Sequence, residues 1–248
     1  MICTNYEKNI GVNKYKHLYV FGCSHSLNTN SIDETCKSYS DLLAEKLGIS
    51  TENVYNYAIN GSSNNENLYY LNCINSNLSF FHPIDDIRTK LYGDILPREL
   101  YNDSLIIFQL TYWHRIGFQH TIERNNGHYK LVALSPHRIF TDTDFTNFNH
   151  IFFKKLSNEI FLQRNSILST YYTLKGIDDK KNNISTLLLS WDKLMDDNIR
   201  KYIEPTLSNL KQISIDEGWT CDSELNNKDW HLSPNGNKEF SEYLHQYI

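Results

Sequence analysis

Five cysteines are spread along the 248 residues, at positions 3, 23, 36, 73 and 221, and no two of them form a Cys-x-x-Cys pair. An odd, dispersed set excludes a complete disulfide framework and offers no zinc knuckle. No apolar run is long enough to cross a bilayer. The N-terminal MICTNYEKNI has no basic region followed by an apolar core, so no signal peptide is expected. A reducing, cytoplasmic setting is therefore the default expectation. An excess of positive charge is missing too: 24 Lys and Arg against 29 Asp and Glu leave a formal charge of −5. That balance argues against a nucleic-acid partner and against a membrane surface. The small basic clusters, Lys14 to His17 and Lys154-Lys155, read as solvated faces. HExxH, GxxxxGK and GxGxxG are all absent. Zinc-protease, P-loop and dinucleotide chemistry thus have no motif to stand on, and no cofactor or metal is expected. No internal repeat and no linker divides the chain, which reads as one domain, 1–248.

What is present is a globular composition, 40% hydrophobic and 21% charged. Short apolar runs alternate with helical patterns. Tyr15 to Gly22, Asn53 to Ile59, Ser104 to Leu110 and Ile184 to Ser190 read as buried strands. Tyr39 to Leu47 has helical spacing and stops at Gly48, a helix-ending signal. A second helix is expected from about Glu66 to Cys73. The segment Phe145 to Leu174 is mainly helical in pattern, Ile199 to Ile213 is expected to be helical, and HYKLVAL (His128 to Leu134) fits a short strand. Near the end, Ser233-Pro234 has the form of an N-cap and first helical position. Phe240, Tyr243, Leu244 and Tyr247 supply the apolar face that follows. Strands alternating with helices predict an α/β fold with a mostly parallel sheet. Ligands of such sheets gather at the carboxyl ends of the strands. Three polar segments fall there: Gly22 to Ser26, Asn60 to Asn64, and Thr111 to Arg115.

Each segment admits a bland and a chemical reading. Ser24 is either a turn residue or a nucleophile, and the latter needs a base. Its neighbour His25 is poorly placed by sequence, because adjacent side chains tend to point apart. His231 lies in a loop before the terminal helix, with Asp229 two residues earlier. The pair is either a solvated helix cap or an imidazole with the carboxylate that orients it. Gly61 is either the glycine of a turn or a backbone donor to a developing oxyanion, with the Ser24 amide as a second donor. A metal set drawn from His25, Asp229 and His231 is a weaker rival, since scattered histidines usually have ordinary roles.

LYVFGCSHS, then YSDLLAEKLG followed by VYNYAINGSSN, then DWHLSPNGNKEFSEYL, occur in that order from Leu18 to the C-terminal region. Together they resemble the SGNH, or GDSL-like, serine hydrolases. The resemblance implies a three-layer α/β/α sandwich with a flavodoxin-like sheet; the helical Phe145 to Leu174 region is read as a candidate cap over the cleft, in a cap or insertion around 118–180. It implies Ser24 as nucleophile, Gly61 as an oxyanion donor, and His231 with Asp229 as base and carboxylate. Three positions depart from the family pattern. Cys23 stands where Asp is common. Lys228 stands three residues before the histidine, where many members have Asp. After the central strand, QLTYWHR replaces Gly-x-Asn-Asp, leaving Trp113 or Thr111, with Gln109 and His114 as further candidates, to supply the third oxyanion donor. The expected activity is hydrolysis of a carboxylic ester through an acyl-enzyme, with a small O-acyl group on a carbohydrate as the preferred substrate. The alternatives are a noncatalytic glycan- or peptide-binding domain and an O-acyltransferase. The oligomeric state is not legible.

Overall fold

The computed structural model describes residues 14–27, 33, 35–78, 80, 96–111, 116–125, 128–134, 143–152, 154, 159–180, 183–190, 231–246 and 248. Among the described residues, four parallel strands make the central sheet: β1 (His17–Phe21), β2 (Val54–Asn56), β3 (Ser104–Leu110) and β6 (Ile184–Ser190), in the order β2-β1-β3-β6. Two more strands, β4 (Ile116–Asn125) and β5 (His128–Leu134), form an antiparallel hairpin that follows the carboxyl end of β3. The helices are α1 (Tyr39–Lys46), α2 (Asn64–Asn75), α3 (Thr143–Ile151), α4 (Glu159–Lys180) and α5 (Pro234–His245).

The continuous apolar character of β1, β3 and β6 has a simple cause: both faces of the sheet are covered. Successive side chains of a strand point to opposite faces. Leu18 and Val20 of β1, Leu105 and Ile107 of β3, and Leu187 and Leu189 of β6 join Leu43 and Ala44 of α1 and Phe240 and Leu244 of α5 in one core. Tyr19 and Phe21, Ile106 and Phe108, and Leu188 point the other way. They pack with Leu71 and Ile74 of α2 and with Ile167, Tyr171, Leu174 and Ile177 of α4. The architecture is therefore a parallel sheet between two helical layers. Within the 118–180 stretch expected to form a cap or insertion, the second half of α4 is a sheet-packing helix on the connection from β3 to β6.

Local signals set the helix ends. Ser38 caps α1 and Ser63 caps α2, each in a reciprocal capping box, with Asp41 and Glu66 respectively. Ser233 accepts from the Gly236 amide at the start of α5, and Pro234 occupies its first turn. Gly48, just beyond α1, takes φ +70°. The strands expected at Ser104 to Leu110 and Ile184 to Ser190 occur with those bounds. β2 is shorter than the run that predicts it, because pairing beyond Asn56 continues as single bonds: Tyr57 N–H donates to Val20 O at 2.7 Å and Ile59 N–H to Gly22 O at 3.2 Å. β4 is an element that the sequence pattern did not announce. The helix expected over Ile199 to Ile213 lies outside the described residues. Among the described residues no helix is long and apolar enough to cross a membrane.

The strand order reverses beside β1. From β1 the chain moves outward to β2, then returns across β1 to β3 on its other side. A crevice opens at the carboxyl ends of the two strands flanking such a switch point, because their connections leave in opposite directions. Ser24 follows β1 and Thr111 follows β3.

Candidate functional site

Ser24 begins a single 3-10 turn, Ser24–Ser26, directly after the extended residue Cys23. The Ser26 amide donates to Cys23 O at 2.9 Å and the Leu27 amide to Ser24 O at 3.2 Å, which closes the turn. Ser24 and His25 are both buried, at 6% and 7% exposure. A hydroxyl here is shielded from bulk water while standing at the sheet's ligand-binding end.

The turn is held from below by Gln109, a fully buried residue near the end of β3. Its Oε1 accepts from Ser26 Oγ at 2.7 Å and from the Cys23 amide at 3.3 Å. Its Nε2 donates to Cys23 Sγ at 3.4 Å and to Leu110 O at 3.3 Å. Gln109 is one of the residues considered for the third oxyanion donor; its amide is instead committed to the underside of the turn. Cys23 points into the same buried cluster. Gly22 is required by close approach: a Cβ there would lie 2.6 Å from both Gln109 Oε1 and Ser26 Oγ.

The second segment is strapped to the first. Ser62 Oγ donates to Gly22 O at 2.7 Å, and the Ser62 amide donates to Ile59 O at 3.0 Å. Asn56 Nδ2 donates to Ser26 O at 2.8 Å. Between these anchors Gly61 takes φ +75°, so its glycine identity follows from the backbone of the turn. A Cβ on Gly61 would meet nothing within 4 Å. Gly61→Ala is expected to cost about 1 kcal/mol through the left-handed backbone alone, and Gly61→Asn less, since Asn tolerates that region better. Urea denaturation of both variants checks this. Equal losses for Ala and Asn would point to steric crowding instead.

Thr111 links the third segment to the second. Its amide donates to Asn64 Oδ1 at 2.6 Å, and its carbonyl accepts from Asn64 Nδ2 at 3.1 Å. Thr111 is 2% exposed, and its Oγ1 has no hydrogen-bond partner among the described residues. Trp113, His114 and Asp229 lie outside the described residues, so the structure places neither the carboxylate partner nor the indole donor.

His231 closes the site from the C-terminal end. Its ring centroid is 5.2 Å from that of His25, with the planes tilted by 41°. The structure thus brings the histidine of the terminal loop against the turn that carries Ser24, across a long stretch of sequence. His25, poorly placed by sequence as a base, is the residue that meets His231.

A chain of buried bonds runs beneath both histidines. Tyr39 OH and Ser26 Oγ are 2.8 Å apart. Since Ser26 Oγ donates to Gln109, Tyr39 donates to Ser26. Burial pushes the Tyr39 phenol well above its usual range, outweighing the opposing bond to Ser26, so it stays a neutral donor. The Tyr39 amide donates to Asn237 Oδ1 at 2.8 Å, and Asn237 Nδ2 donates to Ser233 O at 3.1 Å and Leu232 O at 3.3 Å. Ser26, Tyr39, Asn64 and Asn237 escaped the sequence reading. Polar residues beside caps and turns look like ordinary local hydrogen-bonders. The one available signal was that Ser26 and Asn64 fall within the polar segments at strand ends; Tyr39 and Asn237 do not.

Among the described residues no group of three or more His, Cys, Asp or Glu is arranged to hold a metal ion. No protein-family model matches the chain, and no curated protein does. Among solved structures, it is similar to a carbohydrate esterase whose active site is described as displaying "divergent catalytic and non-catalytic binding functions". That match has a TM-score of 0.47 and 12% identity, over 96% of this chain and 69% of the other. It is also similar to protein YXIM of Bacillus subtilis, with a TM-score of 0.38 and 11% identity; this chain spans 56% of that one.

Proposed function

We propose that the protein is a serine-dependent hydrolase of carboxylic esters, a divergent member of the SGNH type with a flavodoxin-like sheet in one domain. The observation that carries this reading is the apposition of the His231 loop and the Ser24 turn at the switch point of the sheet, where the His25 and His231 rings approach to 5.2 Å. In this reading Ser24 Oγ attacks the ester carbonyl as its proton passes to His231. The Ser24 and Gly61 amides donate to the oxyanion, which gains charge only as the tetrahedral state forms. Trp113, which falls nearest the missing asparagine of the third family motif in a gapless reading, and the Thr111 hydroxyl, buried and without a hydrogen-bond partner among the described residues, are the two candidates for the third donor. His231 then protonates the leaving alcohol. Water attacks the acyl-Ser24 ester with His231 again as base, releasing the carboxylic acid and the free serine. Asp229 orients the imidazole and stabilises its protonated form.

The resemblance favours a small O-acyl group on a carbohydrate as substrate. A second reading has one specific support: QLTYWHR carries no asparagine donor, and loss of one such donor costs on the order of 100-fold in rate. A binding-only glycan or peptide domain would tolerate that loss. An O-acyltransferase would use the same acyl-enzyme with a sugar hydroxyl replacing water.

The deciding experiment treats the protein with a fluorophosphonate and maps the adduct by mass spectrometry, beside turnover of p-nitrophenyl acetate and butyrate. A single adduct on Ser24 with turnover is the expected result. An adduct on another residue, or neither adduct nor turnover, contradicts the catalytic reading. An adduct with acyl transfer to an added sugar and little hydrolysis identifies the transferase.

A further inference from the structure

We propose that Asn237 and Tyr39 are positioning residues that hold the His231 loop in register with the nucleophile turn, an inference that rests on the hydrolase reading above. Neither residue is required by the secondary structure it occupies. Asn237 lies in the first turn of α5, whose cap is already supplied by Ser233 Oγ bonding to the Gly236 amide at 2.9 Å. Its side chain instead bridges two elements. Oδ1 takes the Tyr39 amide, one of the donors left without an intrahelical partner at the start of α1. Nδ2 takes the carbonyls of Leu232 and Ser233, the two residues that follow His231. Tyr39 continues the link upward through its hydroxyl to Ser26, and Ser26 to Gln109. His231 and Ser24 are thus tied to one buried framework. It joins residues 198 positions apart at Tyr39–Asn237 and 83 apart at Ser26–Gln109.

The framework is buried. Tyr39 is fully buried, Ser26 likewise, and Asn237 is 2% exposed. The Tyr39 ring meets Phe240 edge-on, with centroids 4.8 Å apart, which fixes α1 against α5 one turn beyond Asn237. In such surroundings each bond is strong and has no water to substitute for it. Proton transfer between a serine and an imidazole tolerates little misplacement, and an error of about 1 Å can cost on the order of 100-fold. A support that sets the distance between the two segments therefore acts on the rate of the chemical step and leaves the substrate-contacting surface intact.

The test uses Asn237→Ala and Tyr39→Phe in the full chain, with fluorophosphonate titration giving the number of competent sites and the inactivation rate constant per site. The expected result is a fall of roughly 10- to 100-fold in that rate constant for Asn237→Ala and roughly 3- to 10-fold for Tyr39→Phe. KM for p-nitrophenyl acetate should stay within about twofold of wild type, as expected when only the chemical step is affected. A purely structural role gives the opposite pattern: fewer competent sites or a lower melting temperature, with an unchanged rate per site, and that result overturns the proposal. Should Asn237→Ala fail to fold, Tyr39→Phe, which keeps the ring and the amide, decides alone.

A second readout does not depend on catalysis. Cross-relaxation between the His25 and His231 ring protons, whose ring centroids are 5.2 Å apart, is measured by NMR in wild type and variants. Severalfold weakening in a folded variant is expected, and an unchanged signal in both variants overturns the positioning role. If wild type gives no adduct at all, the hydrolase reading fails, and the NMR result still decides whether this framework sets the two histidines.

Discussion

Ser24→Ala is expected to lower p-nitrophenyl acetate turnover by on the order of 10⁴-fold or more and to remove the phosphonate adduct, while the melting temperature changes by only a few degrees. The size of the loss follows from the chemistry: without Oγ no acyl-enzyme can form, and water must attack directly with only the oxyanion donors to help. The small structural effect follows from the surroundings. The bonds that build the turn use the Ser24 carbonyl, the Cys23 amide and carbonyl, and the Ser26 side chain. Each of these survives in the alanine variant. Ser24→Ala also separates the three functional readings. Retained glycan binding with lost turnover fits the hydrolase or the transferase, which differ in whether water or sugar takes the acyl group. A wild-type protein that binds glycan but neither labels nor turns over, and a variant indistinguishable from it, fit the binding domain. Turnover that persists undiminished in Ser24→Ala would place the nucleophile elsewhere.

Gly22→Ala is expected to remove activity by a different route. The added methyl would sit 2.6 Å from Gln109 Oε1 and Ser26 Oγ and 3.0 Å from Ser26 Cβ. None of these atoms is the free end of a flexible surface chain. Gln109 Oε1 is held by the Cys23 amide and Ser26 Oγ, and Ser26 by Tyr39. To admit the methyl, Ser26 and Gln109 must part, which breaks one of the bonds that hold the Ser24 turn to β3. Overpacking of a tight site costs about 1–3 kcal/mol, and a buried group left without its partner costs about 1–3 kcal/mol more. For a chain of this size the melting temperature should fall by roughly 5–15 °C. Differential scanning calorimetry and phosphonate titration on one sample check both effects. A variant with normal melting and normal labelling would show that the turn has room to shift, which the contacts argue against. Gln109→Glu, combined with Gly22→Ala, should not rescue, because the crowding atom is still an oxygen.

The elements most legible in the sequence are those whose cause is local. β3 and β6 are mainly apolar because both faces are covered, and turn residues precede them. Hence SLIIFQL and ISTLLLS could be delimited without coordinates. Ser233-Pro234 declared the start of α5, since a cap needs only residues within one turn. The hairpin strand β4 was missed because its run, IGFQHTIERN, has no clean alternation, and its pairing contains an irregularity between His120 and Arg124. The candidate site divides the same way. Ser24, Gly61 and His231 were nameable because each stands at a strand end or before a helix, where ligands of parallel sheets gather.

By itself the amino-acid sequence determined the alternation of strands and helices, the mostly parallel sheet, the end of α1 at Gly48, the start of α5 at Ser233-Pro234, and a short list of candidate residues for acyl chemistry. Only the tertiary structure decided which of them meet. It set His231 against His25, turned Gln109 inward to hold the Ser24 turn, and joined Tyr39 to Asn237. The physical reason is range. Caps and hydrophobic periodicity act over a few residues and leave a pattern in the chain. A buried side-chain hydrogen bond between distant segments depends on the packing of whole helices on a sheet, and the same asparagine or glutamine in an exposed loop would look identical in the sequence.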